Sequence, residues 1–384
     1  MLKFYNFFKK CILIFIIYII LDIIFFSFLP NDIKTKLYNN RAHRIKSYYY
    51  HHDFRPNASF IDHWGYEKNQ VNTNNLGFKD EKIRDIKFKN KNILFIGDSF
   101  TEGVGLKFED SFVGIISKKI TKTDINTEVL NAAVQSYSPS IYLSKIYHLI
   151  ERKKFPITHI VLMMSGGDMS DDYYRYLDVD KKYIVNHIDP SNKYIINFNN
   201  FYKSNTLLYQ FIARITPIKV IPDLIKSFFK KDNNKNQLDK KNQLLNISNQ
   251  EISNLEMLYR KDYSYLYNKD DFNKWGKKAI SKSVENLKKI IKITNKKNIK
   301  LTILYAEEPT LILKKPTQET LNYLLQEFKN LETANVEFHY INEYDSIFND
   351  NFEAYKELFF IGDIHWNKKG NKVVADEILR KVNF

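Results

Sequence analysis

The chain of 384 residues contains a single cysteine, Cys11, which excludes an intrachain disulfide. No paired Cys/His spacing suggests zinc. Asp168, Asp171 and Asp172 cluster in sequence but lack the glycine and the spaced oxygen ligands of a calcium loop. No metal or cofactor is expected. Acidic residues are the minority sign, 44 against 59 basic, for a net charge of +15. That balance suits nucleic acid, anionic lipid or an acidic glycan. The lysines are scattered among asparagines and isoleucines, and no recognition helix, zinc finger or nucleic-acid-binding aromatic motif stands out. Nucleic acid is therefore not expected, and acidic polysaccharide or phospholipid headgroups stay open. Glycine is also scarce, 11 in all, so its placement is informative. Seven glycines (Gly97, Gly103, Gly105, Gly166, Gly167, Gly362 and Gly370) flank three short segments. Glycine serves where a backbone turns sharply or approaches a ligand closely.

The N-terminus holds a long apolar run. Cys11 to Leu29 spans 19 residues with one charge, Asp22, preceded by Lys9 and Lys10 and ended by Pro30. A helix of that length spans a bilayer. Ser27-Phe28-Leu29-Pro30 offers no small-residue cleavage site, so residues 1–30 read as an uncleaved anchor. Asp22 is costly in lipid and suggests a partner helix, on a membrane partner protein, or a protonated carboxyl. Lysines and arginines flank both ends, so the positive-inside rule does not set the orientation.

The candidate chemistry lies in the three glycine-flanked segments. Ile93-Leu94-Phe95-Ile96 reads as a buried parallel strand, and Gly97-Asp98-Ser99-Phe100 falls on the turn at its carboxyl end. Open α/β sheets place their sites at that end, and Ser99 is a candidate nucleophile there. Near the other terminus, Asp363 precedes His365 by two residues. In an extended segment those side chains point the same way. Asp363 would then fix the His365 tautomer and leave Nε2 to accept the serine proton.

These residues resemble the GDSL or SGNH family of esterases and acyltransferases. The resemblance rests on Gly97-Asp98-Ser99-Phe100-Thr101-Glu102-Gly103 and on Asp363-Ile364-His365-Trp366-Asn367 followed by Gly370, and it extends over residues 91–384. The Asp-x-His-Trp form is similar to members involved in O-acetylation of bacterial envelope polysaccharides. The resemblance implies catalytic Ser99, Asp363 and His365, an acylated carbohydrate substrate, and a catalytic domain on the periplasmic or extracytoplasmic side of the membrane. Two departures stand out. Ser136, in Asn131-Ala132-Ala133-Val134-Gln135-Ser136, occupies the place of an oxyanion-hole glycine and keeps its N–H. Ser165-Gly166-Gly167-Asp168 puts Gly167 where the family carries an asparagine donor. Loss of such a donor costs roughly a hundred- to a thousandfold in rate. Ser165 is a candidate replacement. Asp98, Asp168 and Trp366 complete the candidate binding residues, and Tyr173, Tyr174 and Trp366 are candidates for stacking on a sugar ring.

Further along, helix and strand patterns alternate: helices over 112–120, 141–151, 275–295, 318–331 and 369–382, and strands over 158–164, 299–305 and 336–340. This predicts a three-layer α/β/α, flavodoxin-like domain with a parallel sheet. Residues 31–90 read as a stem packing on that domain. Asp62-His63-Trp64-Gly65 within it resembles the catalytic triplet but lacks the i, i+2 relation and reads as structural. About residues 205–270 form an insertion, with a polar low-complexity run at 229–248 and an apolar stretch from Leu207 to Phe229 that reads as a packed insertion, a lid or a membrane-facing surface. The function expected is a serine esterase or O-acyltransferase. A degenerate glycan-binding module and a lipid esterase remain as alternatives.

Overall fold

The computed structural model describes residues 2–30, 43–64, 67–176, 193–210, 261–307, 316–343 and 352–384, with a few isolated residues between them. Helix α1 (Leu2–Phe28) is apolar on all sides and leaves most of its side chains exposed. A hairpin of β1 (Arg44–Ser47) and β2 (His51–Phe54) follows. Then come three antiparallel strands, β3 (Ser59–Trp64), β4 (Glu67–Thr73) and β5 (Lys79–Asp80). The alternating part runs β6 (Lys91–Ile96), α2 (Ser99–Glu102), α3 (Phe112–Thr123), β7 (Thr127–Asn131), α4 (Pro139–Tyr147), β8 (His159–Met164) and α5 (Gly166–Tyr174). It continues with α6 (Lys193–Asn205), α7 (Lys277–Lys296), β9 (Lys300–Ala306), α8 (Gln318–Lys329), β10 (Val336–Ile341), α9 (Phe352–Leu358) and α10 (Lys368–Lys381).

One sheet has the order β10-β9-β8-β6-β7-β5-β4-β3. Its strands β6 to β10 are parallel and lie in the order two, one, three, four, five along the chain. This is the flavodoxin-like winding, whose order reverses between β6 and β8 and opens a crevice at their carboxyl ends. Ser99 follows β6 and Ser165 follows β8, so both sit at that crevice. Every residue of β8 is buried, as is Ile93 to Ile96, because helices cover both faces. In α7 the buried residues Ile280, Val284, Leu287 and Ile290 recur at three- and four-residue spacing and face α4 and α5. Truncating Leu287, fully buried here, to alanine would cost about 2–5 kcal/mol.

The observed elements sharpen two expectations. Residues 59–80, assigned to a stem, are three strands of the same sheet, joined to it where Lys79 pairs with Asn131. The helix expected over 141–151 ends at Tyr147 and passes into a π-helical turn at His148–Arg152. The low-complexity run at 229–248 lies outside the described residues, as does the apolar stretch beyond residue 210.

Candidate active site

Ser99 opens the short helix α2, whose turn is fixed by Asp98: its carboxylate accepts the Phe100 N–H at 2.9 Å. Gly103 ends the helix with φ 69°, the left-handed conformation that glycine tolerates. At the far side of the crevice the segment before α10 carries Asp363 and His365. They sit on a bend, not on the extended segment expected from their spacing. Gly362 has φ 76°, and the Asp363 carboxylate accepts the N–H of His365 at 2.9 Å, an Asx-type turn. The same carboxylate oxygen bonds His365 Nδ1. With Nδ1–H donating there, Nε2 accepts from Ser99 Oγ at 2.7 Å. Tyr355, buried beneath, accepts the Asp363 N–H and donates to the Asp363 carbonyl, which pins the bend from behind.

The second oxygen of Asp363 accepts the indole N–H of Trp64 at 2.9 Å. The Trp64 ring also meets the His365 ring edge-on, with centroids 4.9 Å apart at 88°. Burial pushes the Asp363 carboxyl up, but the hydrogen bonds from His365 and Trp64 outweigh it and hold the group below its ordinary value. Trp64 belongs to the segment that reads as structural from sequence, and its separation of 299 positions from Asp363 leaves no local signal of the contact.

The loop after β7 supplies Ser136, with φ 61°. That is the left-handed region, so the backbone here takes the shape the resemblance associates with glycine. Among the described residues, the N–H groups of Ser99 and Ser136 have no acceptor. Both residues line a cavity of about 280 Å³ together with Trp64, Gly167, Tyr263, Asp363 and His365. Two backbone donors are therefore available beside the nucleophile. Glu102, buried at the end of α2, ties the two loops together. It accepts the Gln135 N–H at 2.6 Å and a paired contact from Arg44 at 2.7 and 3.0 Å. Burial raises the Glu102 carboxyl, and Arg44 more than compensates, so the group lies below its ordinary value.

Several expected binding residues have other roles. Ser165 Oγ donates to Asp98 at 3.1 Å, so its proton is not directed at an oxyanion. Asp98 and Asp168 line the cavity, but their carboxylates accept from Phe100, Ser165 and Tyr142 and have no hydrogen-bond donor of their own while ionised. Burial raises both carboxyls, and Asp98 beside it raises Asp168 further. Trp366 is 2 % exposed and packs edge-on against Phe100 and Phe112; it belongs to the core and is not placed to stack on a ligand. Tyr173 and Tyr174 pack on Trp275 outside the cavity. Asp172 receives Ser138, Ser140, Ser283 and Asn286 and is a buried hub beneath the Ser136 loop. His159 bonds Thr302 inside the sheet at 2.8 Å.

Gly167 contributes no side-chain donor. A Cβ there would lie 3.1 Å from Tyr263 Cε1 and 3.2 Å from Tyr263 Oη, so the tyrosine occupies the space a side chain would take.

No family model matches the chain, and no curated protein matches it in sequence. Among solved structures it overlays loosely on Axe2, an acetylxylan esterase from Geobacillus stearothermophilus, with 10% identity and TM-score 0.38 over 78% of this chain and 97% of that one. It does so also on the esterase EstA from Pseudoalteromonas sp., with 11% identity and TM-score 0.38 over 76% and 96%. A third is a lipolytic protein of the G-D-S-L family from Veillonella parvula, with 13% identity and TM-score 0.32 over 76% and 97%. Overlays this loose leave the chemistry to be argued from the residues of the chain itself.

Proposed function

We propose that the protein is a membrane-anchored serine esterase or O-acyltransferase acting on acyl esters, chiefly acetyl, of cell-envelope or secreted polysaccharide. The observation that carries the reading is the relay from Ser99 Oγ to His365 Nε2 at 2.7 Å and on to Asp363. As Ser99 Oγ attacks the ester carbonyl, His365 takes its proton and Asp363 stabilises the imidazolium that forms. The oxyanion is received by the N–H groups of Ser99 and Ser136. His365 then returns the proton to the leaving alcohol, and the acyl-enzyme is released to water or to a sugar hydroxyl.

Tyr263 stands where a side chain at 167 would stand and adds its hydroxyl to the wall of the same cavity. The small cavity suits a short acyl group. Its wall carries Asp171 and Asp262 against one guanidinium, Arg175, which suits an uncharged sugar ester better than an anionic one. Helix α1 would hold the domain at the membrane, on the extracytoplasmic face where envelope glycans are found. A glycan-binding module that has lost catalysis is the second reading, favoured by the missing side-chain donor at Gly167.

The test is hydrolysis by the detergent-solubilised chain of p-nitrophenyl acetate, p-nitrophenyl palmitate and an acetylated polysaccharide, each with Ser99→Ala beside it. Acetyl release that depends on Ser99 supports the reading. A preference for the long chain points instead to a lipid esterase, and no turnover by a folded protein points to the binding module.

A further inference from the structure

We propose that α6 is an interfacial helix whose aromatic face is seated in the lipid bilayer beside α1, with Asp22 joining the two. The inference rests on the reading of α1 as a retained membrane span. In α6, Tyr194, Ile195, Phe198 and Phe201 are 82%, 56%, 62% and 50% exposed. Positions 194, 198 and 201 recur at helical spacing, so these side chains form one continuous apolar stripe that the described residues leave uncovered. Clustered exposed apolar surface of this kind marks a site of interaction. The opposite side of the helix is the one bound to the domain. Asn200 holds β1 through the Lys46 N–H and carbonyl, at 3.3 and 2.7 Å, and Ile196 is buried.

The occupant follows from continuity with α1. The Asp22 carboxylate accepts the backbone N–H groups of Leu207 and Leu208, at 3.2 and 3.1 Å, just beyond the end of α6. The acid that interrupts the apolar run therefore has partners within this chain, and no partner helix is needed to satisfy it. Those bonds also tie a residue of the N-terminal run to the domain, as suits a segment that stays attached. Asp22 lies seven residues before Leu29, so it sits about 10 Å from the end of the run at 1.5 Å per residue. Interfacial helices are buried roughly 5–10 Å into the boundary between headgroups and acyl chains, the same depth. The stripe on α6 thus continues the lipid-facing surface of α1. A direct structural path leads from it to the nucleophile: α6 grips β1, β1 carries Arg44, and Arg44 pairs with Glu102 on the helix that presents Ser99. The site is held at a fixed place relative to the bilayer.

The test uses the full chain in liposomes of phosphatidylcholine and phosphatidylglycerol. With Cys11→Ser in place, single cysteines at Phe198→Cys, Phe15→Cys and Ile125→Cys carry an environment-sensitive fluorophore. Phe198 and Ile125 are exposed, so neither change opens a cavity. Quenching by nitroxide-labelled lipid and by iodide is then compared. The expected result is strong lipid quenching at 198, several-fold above that at 125, with iodide protection. If 15 is quenched by lipid while 198 is quenched by iodide like 125, the proposal is wrong though α1 spans. If 15 itself escapes lipid quenching, the anchor reading has failed. A label at 198 shielded from both quenchers overturns the proposal in favour of a protein surface over the stripe.

Discussion

Replacing Trp64 by phenylalanine keeps an aromatic ring beside His365 and removes the N–H that reaches Asp363 at 2.9 Å, together with the pyrrole part of the indole. A hydrogen bond to a charged acceptor contributes about 1.5–3 kcal/mol. Part of that is present in the resting state as well. The share specific to the transition state, where Asp363 faces a full imidazolium, is about 1–2 kcal/mol, or a fall of roughly 5- to 30-fold in kcat/KM. The loss should appear in kcat more than in KM, because Trp64 acts through Asp363. A second signature is the pH profile. Burial raises Asp363, and the bonds from His365 and Trp64 hold it low. Without Trp64 the carboxyl rises, and the acid limb of kcat/KM moves to higher pH. Rates with p-nitrophenyl acetate across pH, with thermal unfolding as the check on folding, measure both. A Trp64→Phe protein with unchanged kcat and an unchanged acid limb would refute the positioning role.

Other expectations concern the scaffold around the site. Arg44→Met leaves the Glu102 carboxylate buried without its cation and should cost about 3 kcal/mol, read from the urea midpoint; a shift under a third of that would mean that Glu102 is solvated. Because Ser136 holds φ 61°, Ser136→Gly should leave activity and melting temperature nearly unchanged, whereas Ser136→Val should destabilise by roughly 1–2 kcal/mol. Equal behaviour of the two variants would contradict a left-handed residue there. Burial lowers His52 and His159 to about 4, and burial with Arg55 and Arg44 nearby lowers His43 to about 2. Their unfolded forms take up protons from about pH 6.5, so stability should be lost as pH falls below that value, by about 1.4 kcal/mol per pH unit for each histidine. Chemical denaturation at pH 7 and pH 5.5 measures it, and a flat profile would sink the assignment.

Much of the fold was legible because its signals are local. Ile93-Leu94-Phe95-Ile96 reads as a buried strand, and β8 and β9 read likewise, because strands covered on both faces have no polar face to show. Ser99, Asp363 and His365 were legible from short motifs with flanking glycines, and the structure brings the three together. The mechanism of their alignment was not: the Asp363–His365 geometry comes from a turn at Gly362, not from an extended strand. Trp64, Tyr263 and the Arg44–Glu102 pair escaped the sequence reading because each acts on a partner distant along the chain. Asp98, Asp168 and Trp366 adjoin the motifs, but adjacency does not report direction: Asp98 and Asp168 line the cavity with carboxylates engaged in capping, and Trp366 is a core ring. The stem was separated from the domain because its strands are short and polar, although sheet pairing with β7 joins them.

The central claim is that Ser99 is an activated nucleophile. It is tested most directly by treating the detergent-solubilised chain with a fluorophosphonate and locating the adduct by mass spectrometry, with Ser99→Ala and His365→Ala alongside. An adduct on Ser99 that is lost in both variants is the predicted result. A folded protein that forms no adduct, or forms one on another serine, would contradict it.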